Sequence, residues 1–320
     1  MTPTATEERT KTAKVKVMPY ADWMKVDLHI HTPESHEQYY TSSLSKEKAW
    51  EKFIEDLEKL PPDVNVIGIN DYNHIDGYNK VLKYKKDGRL QNLALILPVI
   101  EFRTDDVAVS SSDKIKKLNF HVIFSDEVNC TDIEQNFIGK LRFTKGNWNK
   151  SPTRENLICL GQTITDKSDL GDENAYIAGA NAYCIDIDQA TKTLEDNFKG
   201  RYITTIGSVE FHCIDYKEAL IKNCILDKAD IIWGASPSVE GYDTAKVKLE
   251  AVFQTVKATK PLVFLHCSDA HDFSDSHNNG ANKIGNGKTW LKIEPTFEGL
   301  KQILIEPEDR ICVSESHPET

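Results

Sequence analysis

The stretch Val26-Asp27-Leu28-His29-Ile30-His31-Thr32 holds residue types that bind metal ions, at a spacing that lets two of them act together. Alternation along a strand puts Asp27, His29 and His31 on one face, with Leu28 and Ile30 on the other. Two imidazoles side by side on a rigid strand make half of a divalent-metal site. A pair of solvent-facing histidines on a β edge would read the same way, so the metal reading needs partners.

Four further apolar runs supply them. Val66–Asp71 and Leu93–Glu101 each stop on a carboxylate, Asn119–Phe124 holds His121, and Pro261–His271 brings Asp269 and His271 two residues apart. Continuous apolar runs suit strands buried on both faces, as in parallel sheets. Polar residues gathered at strand C-termini are where α/β barrels keep their chemistry. Histidine with carboxylate suits Mn, Zn or Fe, where an all-oxygen set would suggest Mg or Ca. Two such ions about 3.5–4 Å apart can serve an in-line displacement at phosphorus. Arg103, two residues past Glu101 on the same strand face, is placed to reach a substrate phosphate; a surface ion pair with Asp105 or Asp106 is the alternative. Asp71 has a catalytic reading and a plainer one, capping the turn that follows its strand.

The elements that must position these residues alternate in type. Ser45 is placed to cap a helix over Lys46–Leu60, whose Trp50, Phe53, Ile54 and Leu57 form one apolar stripe before Pro61-Pro62 ends it. Gly77–Lys86 reads as a second helix, and 216–229 and 242–259 as longer ones. The resulting βαβα order predicts a parallel sheet or barrel. The segment 129–202 is polar and fits that order poorly. It reads as a loop-rich insertion over the barrel mouth, with helices near 132–142 and 186–198. The chain then divides into an N-terminal tail (1–22), the barrel (23–305) and a C-terminal tail (306–320). Gly285-Asn286-Gly287-Lys288-Thr289 resembles the end of a phosphate-binding loop, but Asn282 stands where the first glycine is needed.

A chain of 320 residues with 39% hydrophobic and 28% charged residues has the composition of a soluble globular protein. No apolar run approaches the roughly 20 residues of a membrane span, and no apolar leader precedes residue 16. Seven cysteines without a C-x-x-C pair suggest reduced thiols and a cytoplasmic location. The net charge of −11 argues against gripping nucleic acid by bulk electrostatics, although bound metal ions would cancel part of it locally.

Taken in order, Asp-Leu-His-Ile-His-Thr (27–32), Ile-Asn-Asp-Tyr-Asn (69–73), Val-Ile-Glu (99–101), the His121 strand and Ser-Asp-Ala-His (268–271) resemble the motifs of the polymerase and histidinol phosphatase (PHP) domain. Asn70-Asp71-Tyr72 with Ile75-Asp76-Gly77-Tyr78, Asn119–Phe124, and Thr289–Lys292 followed by Phe297–Gln302 look closer still to the N-terminal PHP module of TrlF-type and SMC-like AAA ATPases, several of them linked to phage defence. The resemblance implies a distorted seven-stranded β/α barrel holding two or three divalent ions. His29, His31, Glu101 and Asp269 would form a first site. Glu101 would bridge to a second, held by His121 and a further histidine, for which His212 is the candidate. His271 and His36 would serve a third. The family usually has a histidine where this chain has Tyr72, and a tyrosine with a reference pKa of about 10 is a poor ligand near neutral pH; a third ion would then be weak or absent, or His74 and Asp71 would substitute. The implied activity is metal-dependent phosphoester hydrolysis, foremost as a nuclease in an ATPase-linked system. A small-molecule phosphatase or nucleotide hydrolase, an amidohydrolase and a non-catalytic assembly module are the alternatives. The implied partners are nucleic acid or a phosphorylated small molecule and an AAA or SMC-like ATPase, with self-association left open.

Overall fold

The computed structural model describes residues 21–109, 115–145, 148–167, 169–208, 211, 224–236, 238–274 and 283–319. The first four strands are β1 (Asp22–His31), β2 (Val64–Tyr72), β3 (Leu95–Val109) and β4 (Ile115–Phe124). β5 (Phe143–Lys145) and β6 (Trp148–Lys150) form a separate hairpin. The main sheet resumes with β7 (Tyr202–Gly207), β8 (Ile231–Gly234), β9 (Phe264–His266), β10 (Thr289–Ile293) and β11 (Ile311–Val313), in the order β11-β10-β1-β2-β3-β4-β7-β8-β9.

The sheet curls back on itself. Past β9, Ala270 bridges to Ile30 of β1, with His31 N donating to Ala270 O at 2.9 Å and Ala270 N to His29 O at 3.3 Å. This joins β1-β2-β3-β4-β7-β8-β9 into a nearly closed ring of seven, a distorted (β/α) barrel. β10 and β11 lie outside the ring as an antiparallel extension on the N-terminal half of β1. Residues 306–320, read above as a tail, therefore contribute a strand to the sheet.

One strand departs from the expected parallel order. β4 is antiparallel to both β3 and β7, while the other ring pairs are parallel. The reason is connection length. Only residues 110–114 separate β3 from β4, whereas a parallel crossover needs about a dozen residues or more.

The helices pack outside the ring. α1 (Lys46–Glu58) starts where Ser45 Oγ accepts from Lys48 N, and its buried Trp50, Phe53, Ile54 and Leu57 face the sheet. Burying such side chains is worth roughly 1.5–3 kcal/mol each. α2 is Asp76–Lys86. The segment 129–202 is more ordered than its polarity suggests. Besides the two anticipated helices, α3 (Cys130–Asn136) and α6 (Ile187–Phe198), it holds the β5–β6 hairpin and the pair α4 (Arg154–Thr165) and α5 (Asp172–Ala182). α7 (Val239–Val256) matches the helix expected near 242–259, and the one expected at 216–229 falls largely outside the described residues. Val66, Leu97, Val99, Ile123, Ile203, Ile231 and Leu265 belong to one apolar cluster, which fills the barrel; Ile67, Ile69, Ile100, Phe120 and Ile232 belong to a larger one, shared with the helices. The alternation of each strand between the two clusters defines what faces inward. Among the described residues, no helix is long and apolar enough to cross a membrane.

Candidate metal centre

β1 does not alternate cleanly. Its pairing with β2 shifts register between Asp27 and Ile30. Val26 and Leu28 pack in the inner cluster and Ile30 in the outer one, yet His29 and His31 both reach the interior. The irregularity thus turns Leu28 and His29 the same way, a local re-aiming of the kind β-bulges give. Asp27 does not share the histidines' face. Its carboxylate accepts from Ser268 N (3.0 Å) and Gly285 N (3.1 Å), tying β1 to the two segments that flank it. That contact also gives the phosphate-loop-like segment a structural task.

The other donors arrive by register. Glu101 on β3 and His121 on β4 are direct cross-strand partners, which places both side chains on one face. Asp269 and His271 come from the turn after β9, where Asp269 has a left-handed φ of 53°. A non-glycine residue held in that region at a functional centre is strain the surrounding fold maintains.

These side chains converge. His29 Nε2 lies 3.2 Å from Glu101 Oε2, 3.2 Å from Asp269 Oδ1 and 3.1 Å from His31 Nε2. Glu101 Oε2 is also 3.3 Å from His31 Nε2 and 3.2 Å from His121 Nε2. His29, Glu101 and His121 form one compact donor group, and His29, His31 and Asp269 a second. Around a four-coordinate ion with bonds of about 2.0–2.1 Å, ligand atoms sit about 3.3 Å apart, which is the spacing seen here. His121 adds an independent sign. Although Nε2 is close to Glu101, neither of its ring nitrogens has a hydrogen-bond partner among the described residues, and the residue is buried. Buried polar atoms are rarely left so. The donors fit one or two divalent ions.

Protonation agrees with that reading. Burial pushes His31 down to about 3, helped by the charge of His271 beside it, and burial likewise lowers His121. Burial alone would raise Glu101, but the imidazoles of His121, His29 and His31 outweigh it and hold the carboxyl well below its usual range. Asp269 is held low in the same way by His29 and His271. Neutral imidazoles and ionised carboxylates are what a cation requires of its ligands; His29 departs from this, since burial lowers it but Asp269 and Glu101 outweigh burial and raise it, so an ion bound there would displace its proton. Burial draws His271 down, but its hydrogen bond to Asp269 (3.2 Å) prevails and lifts it to about 9.

The remaining candidates are placed as follows. His271 stacks on His31 with ring centroids 4.0 Å apart, and its Nδ1 meets Glu37 O at 2.7 Å. His36 lies beyond Tyr72, which stacks on His31 (4.9 Å) and meets the His36 ring at a tilt (4.6 Å). Among the described residues, neither His271 nor His36 enters a three-donor group. His74 faces α2, its Nδ1 accepting from Asp76 N. His212 lies outside the described residues. Asp71, read above as catalytic or as a cap, sits on the outward face of β2. It accepts from Thr32 N, Thr32 Oγ1 and Gly77 N, pinning the end of β1 to the start of α2. A Cβ on Gly77 would lie 2.0 Å from Asp71 Oδ2, so only glycine fits there. Arg103 does face the mouth, and among the described side chains its ion pair is with Glu37 (2.9 Å), those of Asp105 and Asp106 lying outside the described ones; it also donates to Asn181 Oδ1 (3.1 Å) and lies over the Tyr72 ring.

Two contributors escaped the sequence reading. Asn70 Nδ2 lies 3.0 Å from Glu101 Oε2 and 3.1 Å from His31 Nε2. Trp233 on β8 packs its ring 5.0 Å from His29 and 4.6 Å from His121. Alternation held the signal for Asn70: with Ile67 and Ile69 on the outer face, Asn70 must point inward. Nothing local marks Trp233.

No protein-family profile and no curated protein sequence matches this chain. The barrel and its clustered His, Glu and Asp donors are consistent with a PHP-like active site, and together they support a metal-dependent hydrolase.

Proposed function

We propose that the protein is a metal-dependent phosphoesterase and that its substrate is a nucleic-acid phosphodiester. The observation that carries this is the position of Glu101: one carboxylate oxygen stands within 3.3 Å of imidazoles belonging to both donor groups. One imidazole nitrogen serves one ion, so Glu101 is the group able to touch two. Ions bound there would supply Lewis acidity toward a phosphoryl group and would make water acidic enough to act near neutral pH. The chain's own residues do the rest. His29, His31, His121 and Asp269 fix the positions, Asn70 orients Glu101, and Arg103 at the rim offers a planar cation to a phosphate. Asp71 acts by holding β1 to α2.

A small phosphorylated substrate is the second reading, favoured by the net charge of −11. The likeness of the motifs to TrlF-type and SMC-like ATPase modules supports a defence role beside an ATPase, and that part rests on the likeness alone. The test is metal content by mass spectrometry together with Mn- and Zn-dependent hydrolysis of labelled DNA and RNA, bis-p-nitrophenyl phosphate and nucleotides. Wild type should bind one or two ions and cleave polymer, and His29→Ala/His31→Ala should do neither. Cleavage of small esters alone would give the second reading. Bound metal with no turnover on any phosphoester would reject both.

A further inference from the structure

We propose that residues 135–145 and 148–154 of the insertion form a docking surface for single-stranded nucleic acid, which leads the strand to the donor cluster; what it is led to rests on the phosphoesterase reading. Between Glu134 and Glu155 the chain carries Lys140, Arg142, Lys145, Lys150 and Arg154 and no acidic residue, against a net charge of −11 for the whole. Such a block in an acidic protein concentrates the attraction for a polyanion on one stretch of the chain.

The described part of the block adjoins the rim of the site. It contains the β5–β6 hairpin, in which Lys145 pairs with Trp148. Lys140, Lys150 and Arg154 are exposed, Arg154 being paired with Glu173 (2.7 Å) while the half-buried Arg142 donates to Gly139 O and Leu141 O, and the Lys150 ammonium lies 4.8 Å from the centre of the Trp148 ring. Cations interleaved with an aromatic ring are the means by which single strands are held without sequence preference. On one side, the hairpin's Phe143 packs against Tyr183, whose hydroxyl meets Lys150 O. The segment around Tyr183 is bound to the rim of the barrel: Ile185 N donates to Arg103 O at 2.8 Å, and Asn181 accepts from the Arg103 guanidinium. Arg103 is two residues from Glu101. On the other side, the Arg154 guanidinium lies 4.3 Å from the Tyr176 ring centre, and Tyr176 meets the edge of His36 beside Tyr72. The basic hairpin is thus joined to the donors along two short lines of side chains, and a strand lying on it would run across Arg103 into the cluster.

The test is fluorescence-anisotropy binding of a labelled 20-nucleotide oligo-dT to the full chain between 50 and 200 mM salt, roughly the range over which phosphate contacts express themselves. Lys140→Glu/Lys145→Glu/Lys150→Glu should weaken binding by about tenfold or more and flatten the log–log salt slope by about 2, from three contacts at roughly 0.7 each. Lys86→Glu/Lys246→Glu/Lys248→Glu, exposed lysines on α2 and α7, makes the same change in net charge and should leave binding near wild type. Equal losses in the two variants, or no salt-dependent binding at 50 mM, would overturn the proposal. So would poly-glutamate of equal charge binding as tightly as oligo-dT, which would assign the surface to an acidic protein segment. Because the readout is binding, a chain that holds the strand and cleaves nothing rejects only the phosphoesterase reading. Cleavage with binding indifferent to the charge reversal rejects only this one.

Discussion

Asn70 and Asp71 are neighbours with opposite tasks, and the pleat of β2 separates them. Asn70 points inward and steadies Glu101; Asp71 points outward and accepts three donors from Thr32 and Gly77. Their alanine variants should therefore fail differently. Asn70→Ala removes an orienting hydrogen bond from a ligand, and such losses typically lower metal affinity 10–100-fold. Its melting temperature without metal should stay close to wild type, and a metal titration showing unchanged affinity would remove Asn70 from the centre. Asp71→Ala leaves the buried Thr32 and Gly77 amides without acceptors, at about 1–3 kcal/mol each for groups that stay dry. Urea unfolding should show that loss even in metal-free protein; wild-type stability with reduced turnover would instead return Asp71 to a catalytic role. The residue types of the centre were legible because metal ligands come from a short list. Their directions were not. A carboxylate at a strand end looks the same in sequence whether it faces a metal or caps a helix, and for Asp71 only the partners decide.

At the scale of elements, the β1 irregularity does most to place His29. Strict alternation would have grouped Asp27 with the histidines; the register shift turns Asp27 away and brings Leu28 and His29 to the same side. The displaced backbone needs room, and Gly68 on β2 provides it. A Cβ there would lie 2.4 Å from Leu28 O and 2.8 Å from Val99 Cγ2. Gly68→Ala should force β1 and β2 apart or straighten β1, costing about 1–3 kcal/mol as overpacking does. It should also cut metal binding, since His29 serves both donor groups. Wild-type metal affinity in Gly68→Ala would show that His29 is set by its contacts with Glu101 and Asp269 and not by the strand. Strands and outer helices were readable from period and caps, as with Ser45 and the Trp50 stripe. The reversal of β4 was readable in principle, since residues 110–114 are too few for a crossover. The α4–α5 pair was not, because its apolar residues are spread around the helices and make no stripe as one-sided as that of α1.

For the molecule as a whole, the closing seam of the ring and the donor cluster lie at one place. The ring closes where Ala270 meets His29 and His31, one residue from Asp269 and His271, so ions held there would fasten the seam between the last ring strand and the first. Metal removal should then lower global stability, and by an amount that depends on pH. In metal-free protein His271 is lifted from its usual 6.5 to about 9. A group whose folded pKa is raised adds stability that is complete below its unfolded pKa and is lost as pH rises through the folded value. Metal-free protein should accordingly lose this contribution between pH 6.5 and 9. Metal stabilisation runs the opposite way, because ions compete with protons for imidazole and bind more tightly as pH rises. The difference in melting temperature between metal-loaded and metal-free protein should therefore widen from pH 6.5 to 9. A constant gap would mean that His271 is no part of the proton–metal exchange and that the seam is held without it. A gap that widens in wild type and stays flat in His271→Gln would assign the exchange to His271, the one described histidine that both stacks on a ligand ring and bonds to Asp269.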